Sequence, residues 1–558
     1  MGFILGAQDP QANESSHLGN HVVPSVEKRL GTRNNKDALE SLSSQFNLTE
    51  TFEGIVANIP NVTLNYVELV PRNGSFGDAE TNLLFPVNAT QLPALCAVGI
   101  NVKSSPNSSF NFGLFLPEDG TWNERLMTTG NGGYGGGINW LDMGTLSHYG
   151  FATMSTDTGH SSGPRDAAWG LNAPESLFDW GYRAMHGSVE IVNKYYATPA
   201  GIRYSYYAAC STGGRQGLKE IYLHPDSFDG ISIGAPAWWS THLAGALLYW
   251  GLLNYPASDP KHISPSLFPA IVAEVKKQCD GQDGIIDGIV SDVHGCDFDF
   301  DALLCAPDSD ASGCLTPEQL TTIKRFHSDW IAANETFVFP GATLGIDPTL
   351  LLGDGTDALL EHGYYTNWVL NDTEWNYTQF SHRDVLFADT IDPGNASADD
   401  YDLSTFRKRG GKILHYHGDA DTVIPSTSSI YYYKEVSNAL TAKNVDLDEF
   451  YRFFLVPGME HCYSSPNAPW YVAGAAQSLT GATHSVPGFE DADHDIILAL
   501  MRWVEEDVAP DKIIATKFHN ETVSAGVQSQ RPLCAYPRRA KYISGDPDKE
   551  GNWECSGL

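Results

Sequence analysis

Positive charge is scarce in this 558-residue chain: 34 Lys and Arg stand against 68 Asp and Glu, a formal net charge of −34 at pH 7. A surface so short of cations repels phosphate backbones and anionic bilayers, which argues against nucleic-acid and membrane partners. Long apolar runs are also missing. The longest, around Leu243 to Leu253, is interrupted and too short to span a bilayer. There is no Cys-x-x-Cys pair, so a zinc site built on cysteines is not expected. Internal repeats and low-complexity tracts are absent. Met1 to Gln8 is too short for the charged, apolar and cleavage regions of a secretory signal. It reads as a start Met placed ahead of a chain whose signal was removed.

What is present points outside the cell. Eleven Asn-x-Ser/Thr sequons occur, at Asn13, Asn47, Asn61, Asn73, Asn88, Asn107, Asn334, Asn371, Asn376, Asn395 and Asn520. That is an excess expected of a glycosylated, secreted protein. The nine cysteines include the close pairs Cys279 with Cys296, Cys305 with Cys314, and Cys534 with Cys555, spacings suited to short-loop disulfides in an oxidising compartment. The odd thiol falls to Cys96. Glu27-Lys28-Arg29 is either a dibasic processing site or a solvated charge pair.

The length calls for a large catalytic domain plus an insertion. Residues 1–50 are polar and read as an N-terminal extension. Strand-like and helical patterns alternate over 51–240 and again over 399–558, while 241–398 differ in character, with four cysteines, an acidic loop and clustered sequons. Lys412 to His417 and Tyr451 to Val456 read as buried strands, and Asp495 to Val504 as a helix. The fold class is therefore α/β: an open sheet with a large inserted lid.

Three motifs carry the chemistry. A Tyr-rich strand over Ile202 to Ala209 runs into Cys210-Ser211-Thr212-Gly213-Gly214 and then a helix. This strand–turn–helix is a nucleophile elbow whose first glycine is replaced by Ala209. A Ser hydroxyl needs a base and an orienting acid, which follow in the order Ser, acid, His in α/β-hydrolases. After the Lys412 strand come Asp419 and Asp421. Both are candidates, and Asp421 is favoured because Asp-x-x-Ile-Pro is the usual acid-bearing turn. After the Tyr451 strand comes His461-Cys462. If Ser211 and His461 touch, Cys210 and Cys462 are candidates for a disulfide. Such a bond would stabilise by about 4–5 kcal/mol in the chain-entropy model.

Cys-Ser-x-Gly-Gly followed by Asp and a later His-Cys resembles the fungal tannase/feruloyl esterase family, and the likeness runs from about residue 55 to the C-terminus. The resemblance implies an α/β-hydrolase fold with a lid, a bond between Cys210 and Cys462, Ser211 as nucleophile, His461 as general acid/base and Asp421 as its orienting carboxylate. The Gly-rich loop from Thr128 to Gly137 lacks the Lys-Ser/Thr of a nucleotide-binding loop. In a hydrolase it supplies an oxyanion N–H from Gly132 or Gly133, with Thr212 as second donor. Asp157-Thr-Gly-His160 reads as scaffolding, because its His precedes the nucleophile.

The loop Cys279 to Asp292 suits a hard cation, being rich in Asp and Gly but not spaced as an EF-hand. The resemblance implies a structural calcium held by the side chains of Asp280, Asp283 and Asp287 and the carbonyls of Ile285 and Ile289; no catalytic cofactor is expected. It further implies a small or polysaccharide-linked phenolic ester as substrate, a hydroxycinnamate of plant cell walls such as xylan in the first instance. A tannase acting on galloyl esters and a catalytically silent glycan-binding relative are the alternatives. Trp238, Trp239, Tyr364, Tyr365 and Trp368 are expected either to shape the acyl pocket or to lie in the core.

Overall fold

The computed structural model describes residues 48–118, 120–195, 201–307, 313–356, 359, 361–463 and 470–557. Most of the expected N-terminal extension lies outside them, as does the Glu27-Lys28-Arg29 stretch; residues 48–50 open a helix that continues to 56.

Nine strands form the central sheet: β1 (Val62–Val70), β2 (Leu95–Ser105), β3 (Ser108–Pro117), β4 (Arg125–Thr128), β5 (Ala152–Thr156), β6 (Tyr204–Cys210), β7 (Gly230–Gly234), β8 (Lys412–Gly418) and β9 (Tyr451–Val456). Their spatial order is β1-β2-β3-β5-β4-β6-β7-β8-β9. The first three are antiparallel and β3 pairs antiparallel with β5; the six from β5 to β9 are mutually parallel. This is the α/β-hydrolase arrangement the motif order calls for. Parallel strands bury both faces, and the sequence obeys that rule. In β6, Tyr207 and Ala209 face one core while Tyr206 and Ala208 face the other. In β9, Phe453 and Leu455 alternate in the same way with Phe454 and Val456.

Helix α1 (Ala184–Tyr195) and helix α2 (Thr212–Leu223) cover one face. Helix α3 (Ile496–Glu506) covers the other, capped by Asp495, whose carboxylate accepts the Ile497 and Leu498 N–H groups at 2.7 and 3.1 Å. Between β7 and β8 the chain leaves the sheet and builds a separate core from Leu243, Trp250, Phe268, Ile323, Phe326 and Phe339, with Ile424 joining from the β8 side. The helix Ser240–Leu253 begins this excursion, one residue before the expected boundary at 241.

All four expected disulfides form: Cys210–Cys462, Cys279–Cys296, Cys305–Cys314 and Cys534–Cys555. Cys96 remains a buried thiol, its pKa pushed up to about 12 by burial. No described helix is long and apolar enough to cross a membrane.

Candidate active site

The sheet topology assembles the site. β4 neighbours both β5 and β6, so the chain order reverses there, and in open α/β sheets ligands bind at the carboxyl ends of the strands at such a point. The Gly-rich loop leaves β4, the Ser211 turn leaves β6, and the Asp421 and His461 loops leave β8 and β9. Because these strands are parallel, all four loops emerge on one edge.

Ser211 sits at the tip of the elbow with φ 61° and ψ −128°, a conformation that a residue with a side chain adopts only under strain. Its N–H donates to the Gly234 carbonyl at 2.9 Å, and its own carbonyl accepts from Arg215 and Ala237, both at 3.1 Å. The turn is crowded: a Cβ at Gly213 would lie 2.7 Å from the Ala209 Cβ and 2.9 Å from the Asn131 carbonyl. That second contact also brings the Gly-rich loop against the start of α2. Thr212 is the first residue of α2, so its N–H has no partner within the helix and points along the positive end of the helix dipole.

His461 Nδ1 lies 2.7 Å from Asp421 Oδ2. The nitrogen facing a carboxylate carries the proton, which leaves Nε2 as the basic atom. Asp421 is fully buried, and its Oδ1 accepts the N–H groups of Val423 and Ile424, each at 2.8 Å. Burial opposes its ionisation, but the His461 charge and hydrogen bonds from His417 and His461 outweigh that and hold the carboxyl well below the usual range. The Cys210–Cys462 bridge, with a Cα–Cα distance of 5.8 Å, fastens the Ser211 and His461 loops across 252 residues of sequence. Cys462, like Ser211, has a positive φ, 64°.

Asp419 is engaged elsewhere. Its Oδ1 lies 3.0 Å from His294 Nε2 and accepts the Ser426 hydroxyl at 2.8 Å, which ties the excursion between β7 and β8 to the acid-bearing turn.

Three supporting residues escape the sequence reading. His417 Nε2 faces the Ile424 carbonyl at 2.7 Å and Asp421 Oδ2 at 3.1 Å, while its Nδ1 lies 2.7 Å from the Ser429 hydroxyl; it braces Asp421 from below. Its position four residues ahead of Asp421 is the only signal in the sequence. Gln216 Oε1 accepts the Asn131 N–H at 3.1 Å and so holds the Gly-rich loop on α2. Arg215, fully buried, donates to the carbonyls of Gly181, Ala396 and Trp180 at 2.7, 3.0 and 3.2 Å and lies over the Trp180 ring. Its presence in the Gly-Gly-Arg stretch gave no hint that it faces inward.

In the Gly-rich loop the two expected oxyanion glycines differ. Gly133 has φ +55° and its Cβ would strike the Pro164 carbonyl at 2.2 Å, whereas a Cβ on Gly132 would meet open space. His160 braces this loop through Nε2, 3.0 Å from the Tyr134 carbonyl. Burial lowers its pKa to about 4, so it stays neutral. Of the five singled-out aromatics, Trp238, Tyr364, Tyr365 and Trp368 are buried in the core. Trp239 is part-exposed and stacks on His242 and Tyr431.

The acidic loop carries hard oxygen donors behind the Cys279–Cys296 bond. Asp280 accepts the Gly288 N–H at 2.9 Å, Asp283 takes the Ile285 N–H at 2.8 Å and the Ser291 hydroxyl at 2.5 Å, and Asp287 takes the Ile289 N–H at 3.0 Å and pairs with Arg531. The donors are of the right kind for calcium. Among the described residues, however, these carboxylates do not form a group with ligand oxygens within 4.8 Å of one another. A cation there would have to share Asp287 with Arg531.

The chain matches the family described as "Tannase and feruloyl esterase" over residues 95–338 and 364–556. It is 33% identical over 513 residues to the "Probable feruloyl esterase B-2" of Aspergillus oryzae, covering 89% of this chain and 93% of that protein. Among solved structures it is similar to feruloyl esterase B from Aspergillus oryzae, with TM-score 0.80 and 32% identity over 89% of this chain and 97% of the other. Tannin acyl hydrolase from Aspergillus niger shares the fold, with TM-score 0.71 and 22% identity over 90% and 92% of the two chains.

Proposed function

The chain belongs to the tannase and feruloyl esterase family, and from that premise we propose that it hydrolyses hydroxycinnamate esters of plant cell-wall polysaccharides through an acyl-enzyme on Ser211. It is a carboxylic ester hydrolase. The observation that carries the mechanism is the Asp421–His461 contact of 2.7 Å, beside a disulfide that joins the neighbours of Ser211 and His461.

In the first step His461 Nε2 takes the Ser211 proton as Oγ attacks the ester carbonyl. The oxyanion rests on the N–H groups of Thr212 and Gly132. We assign Gly132 rather than Gly133 because its surroundings are open. The tetrahedral intermediate collapses, and the protonated His461 gives its proton to the leaving alcohol. Water then attacks the acyl-enzyme with His461 as base, which releases the acid and restores Ser211. Asp421 holds the imidazole with its proton on Nδ1 throughout.

A feruloyl rather than galloyl substrate is favoured by the relatives named feruloyl esterase B, at 32–34% identity over most of the chain. Methyl ferulate, caffeate, sinapate and gallate separate the two readings. The expected kcat/KM on a hydroxycinnamate exceeds that on gallate by at least about tenfold. Cleavage of the gallate ester alone would overturn the assignment in favour of a tannase.

The protein is proposed to act outside the cell, on the strength of its four disulfides and eleven sequons. A structural calcium in the acidic loop is proposed with it, held by Asp280, Asp283 and Asp287 and the carbonyls of Ile285 and Ile289. Calcium added to the EDTA-stripped protein is expected to raise the melting temperature by a few degrees, and to do so less in Asp280→Asn. An unchanged melting temperature in the parent would remove the calcium.

A further inference from the structure

The far end of the nucleophile helix carries a polar cluster that ester hydrolysis does not use. Glu220 and His224 are four residues apart at the end of α2, a spacing that sets both on one face. The His224 N–H closes the turn on the Glu220 carbonyl at 2.7 Å. From α1, His186 reaches across, with Nδ1 3.1 Å from Glu220 Oε1. The imidazoles of His186 and His224 lie face to face, with centroids 3.4 Å apart and planes within 11°. One ligand atom from each of the three residues lies within 4.8 Å of the other two, and among the described residues no other trio of His, Cys, Asp or Glu does so.

Two features point to a ligand rather than to an ordinary ion pair. Glu220 is 1% exposed, and its Oε2 is buried with no hydrogen-bond partner. A carboxylate oxygen left in that state is costly, and a cation would satisfy it. The second feature is the pair of imidazoles brought face to face beside this carboxylate. Rings so placed bring two nitrogen donors within 4.8 Å of the carboxylate oxygen.

We propose that His186, Glu220 and His224 form a site for a zinc-class divalent cation that fastens the end of α2 to α1. Two imidazoles and one carboxylate are the donors such an ion prefers, whereas calcium and magnesium take oxygen. The His186–Glu220 separation of 3.1 Å is close to the ~3.3 Å between two ligands of a tetrahedral ion with bonds near 2.0–2.1 Å. Both histidines are part-exposed, so side-chain rotation can splay their rings to ligate, and solvent can supply the fourth ligand. Ser227, whose hydroxyl donates to Glu220 Oε1 at 2.6 Å, would orient the carboxylate from behind. Glu220 stands eight residues along α2 from Thr212, about 12 Å at the helical rise. The site is therefore separate from the ester chemistry and acts on stability.

The test is equilibrium dialysis of the metal-stripped full chain against zinc ions, with calcium in excess to occupy any oxygen site. The parent is expected to bind one equivalent of zinc and to melt at a higher temperature with it. His186→Ala and His224→Ala should each bind at least about 100-fold more weakly, since losing a ligand costs no less than losing an outer-sphere partner. Both variants should keep the parent's turnover of methyl ferulate, which verifies their folding. Failure of the parent to bind zinc, as a hydrogen-bonded His–Glu pair alone would behave, overturns the proposal. So does parent-like zinc binding in both variants.

Discussion

Replacing Ser211 by alanine is expected to lower kcat on methyl ferulate by about 10^6-fold, the loss seen when a nucleophile that works as a unit with its base is removed. The methyl group fits where the hydroxymethyl was, and alanine tolerates the same φ of 61° no worse than serine. The Gly234, Ala237 and Arg215 backbone bonds that hold the elbow do not involve the side chain. The melting temperature should therefore stay within the small range of a neutral substitution, about 0.5 kcal/mol in stability. Some acceleration over water persists, since the α2 N-terminus and the oxyanion N–H groups remain in place. The decisive measurement is the burst of alcohol released in a single turnover: present in the parent and absent in Ser211→Ala. A variant with a burst, or with turnover within tenfold of the parent, would place the nucleophile elsewhere.

The elements that position this site were legible in the sequence because each has a short-range cause. The strand at Tyr451–Val456 and the helix ending in Leu223 follow from apolar runs and a Gly-Gly turn. Cys210 and Cys462 adjoin Ser211 and His461, which makes them candidates for a disulfide, and the family resemblance implies the bond that forms. Most of what escaped depends on contacts distant in sequence. Nothing local says that Arg215 turns inward to the carbonyls of Gly181 and Ala396, 34 and 181 residues away. The Asp-x-x-Ile-Pro turn favours Asp421 over Asp419, but which histidine each meets, His461 or His294, only the packed fold shows. Residue type alone leaves the aromatics Trp238, Tyr364 and Trp368 between pocket and core. Their residue type suits a phenolic pocket, but they are large apolar groups, and burial in the core is the stronger demand. The His186–Glu220–His224 trio was invisible for a related reason: two of its members share a helix turn, but the third comes from another helix.

The same distinction between the two aspartates predicts the second large effect. Asp421→Asn is expected to lower kcat by about 10^4-fold, the cost of a wrong histidine tautomer. Oδ1 of residue 421 accepts the Val423 and Ile424 N–H groups, so the new amide must keep its oxygen there and turn its NH2 toward His461 Nδ1. Nδ1 then accepts, the proton moves to Nε2, and the base can no longer take the Ser211 proton. The same NH2 confronts the Nε2–H of His417, 3.1 Å away in the parent, which should cost stability by about 1–3 kcal/mol. Protonating Asp421 acts in the same direction. Burial alone would raise its pKa, but pairing with the histidines leaves it depressed in the folded protein. Its ionised form thus adds stability above the unfolded carboxyl's pKa of about 3.9, and that stability fades as the pH falls through the lower folded value. In mildly acidic solution Asp421 stays charged, so its own titration does not set the acid limb of the activity profile. Asp419→Asn should do the reverse of Asp421→Asn. The His294 and Ser426 contacts weaken, the melting temperature falls, and kcat is largely retained. Measured at temperatures well below melting for both variants, a collapse of kcat in Asp419→Asn with activity kept in Asp421→Asn would transfer the orienting role to Asp419.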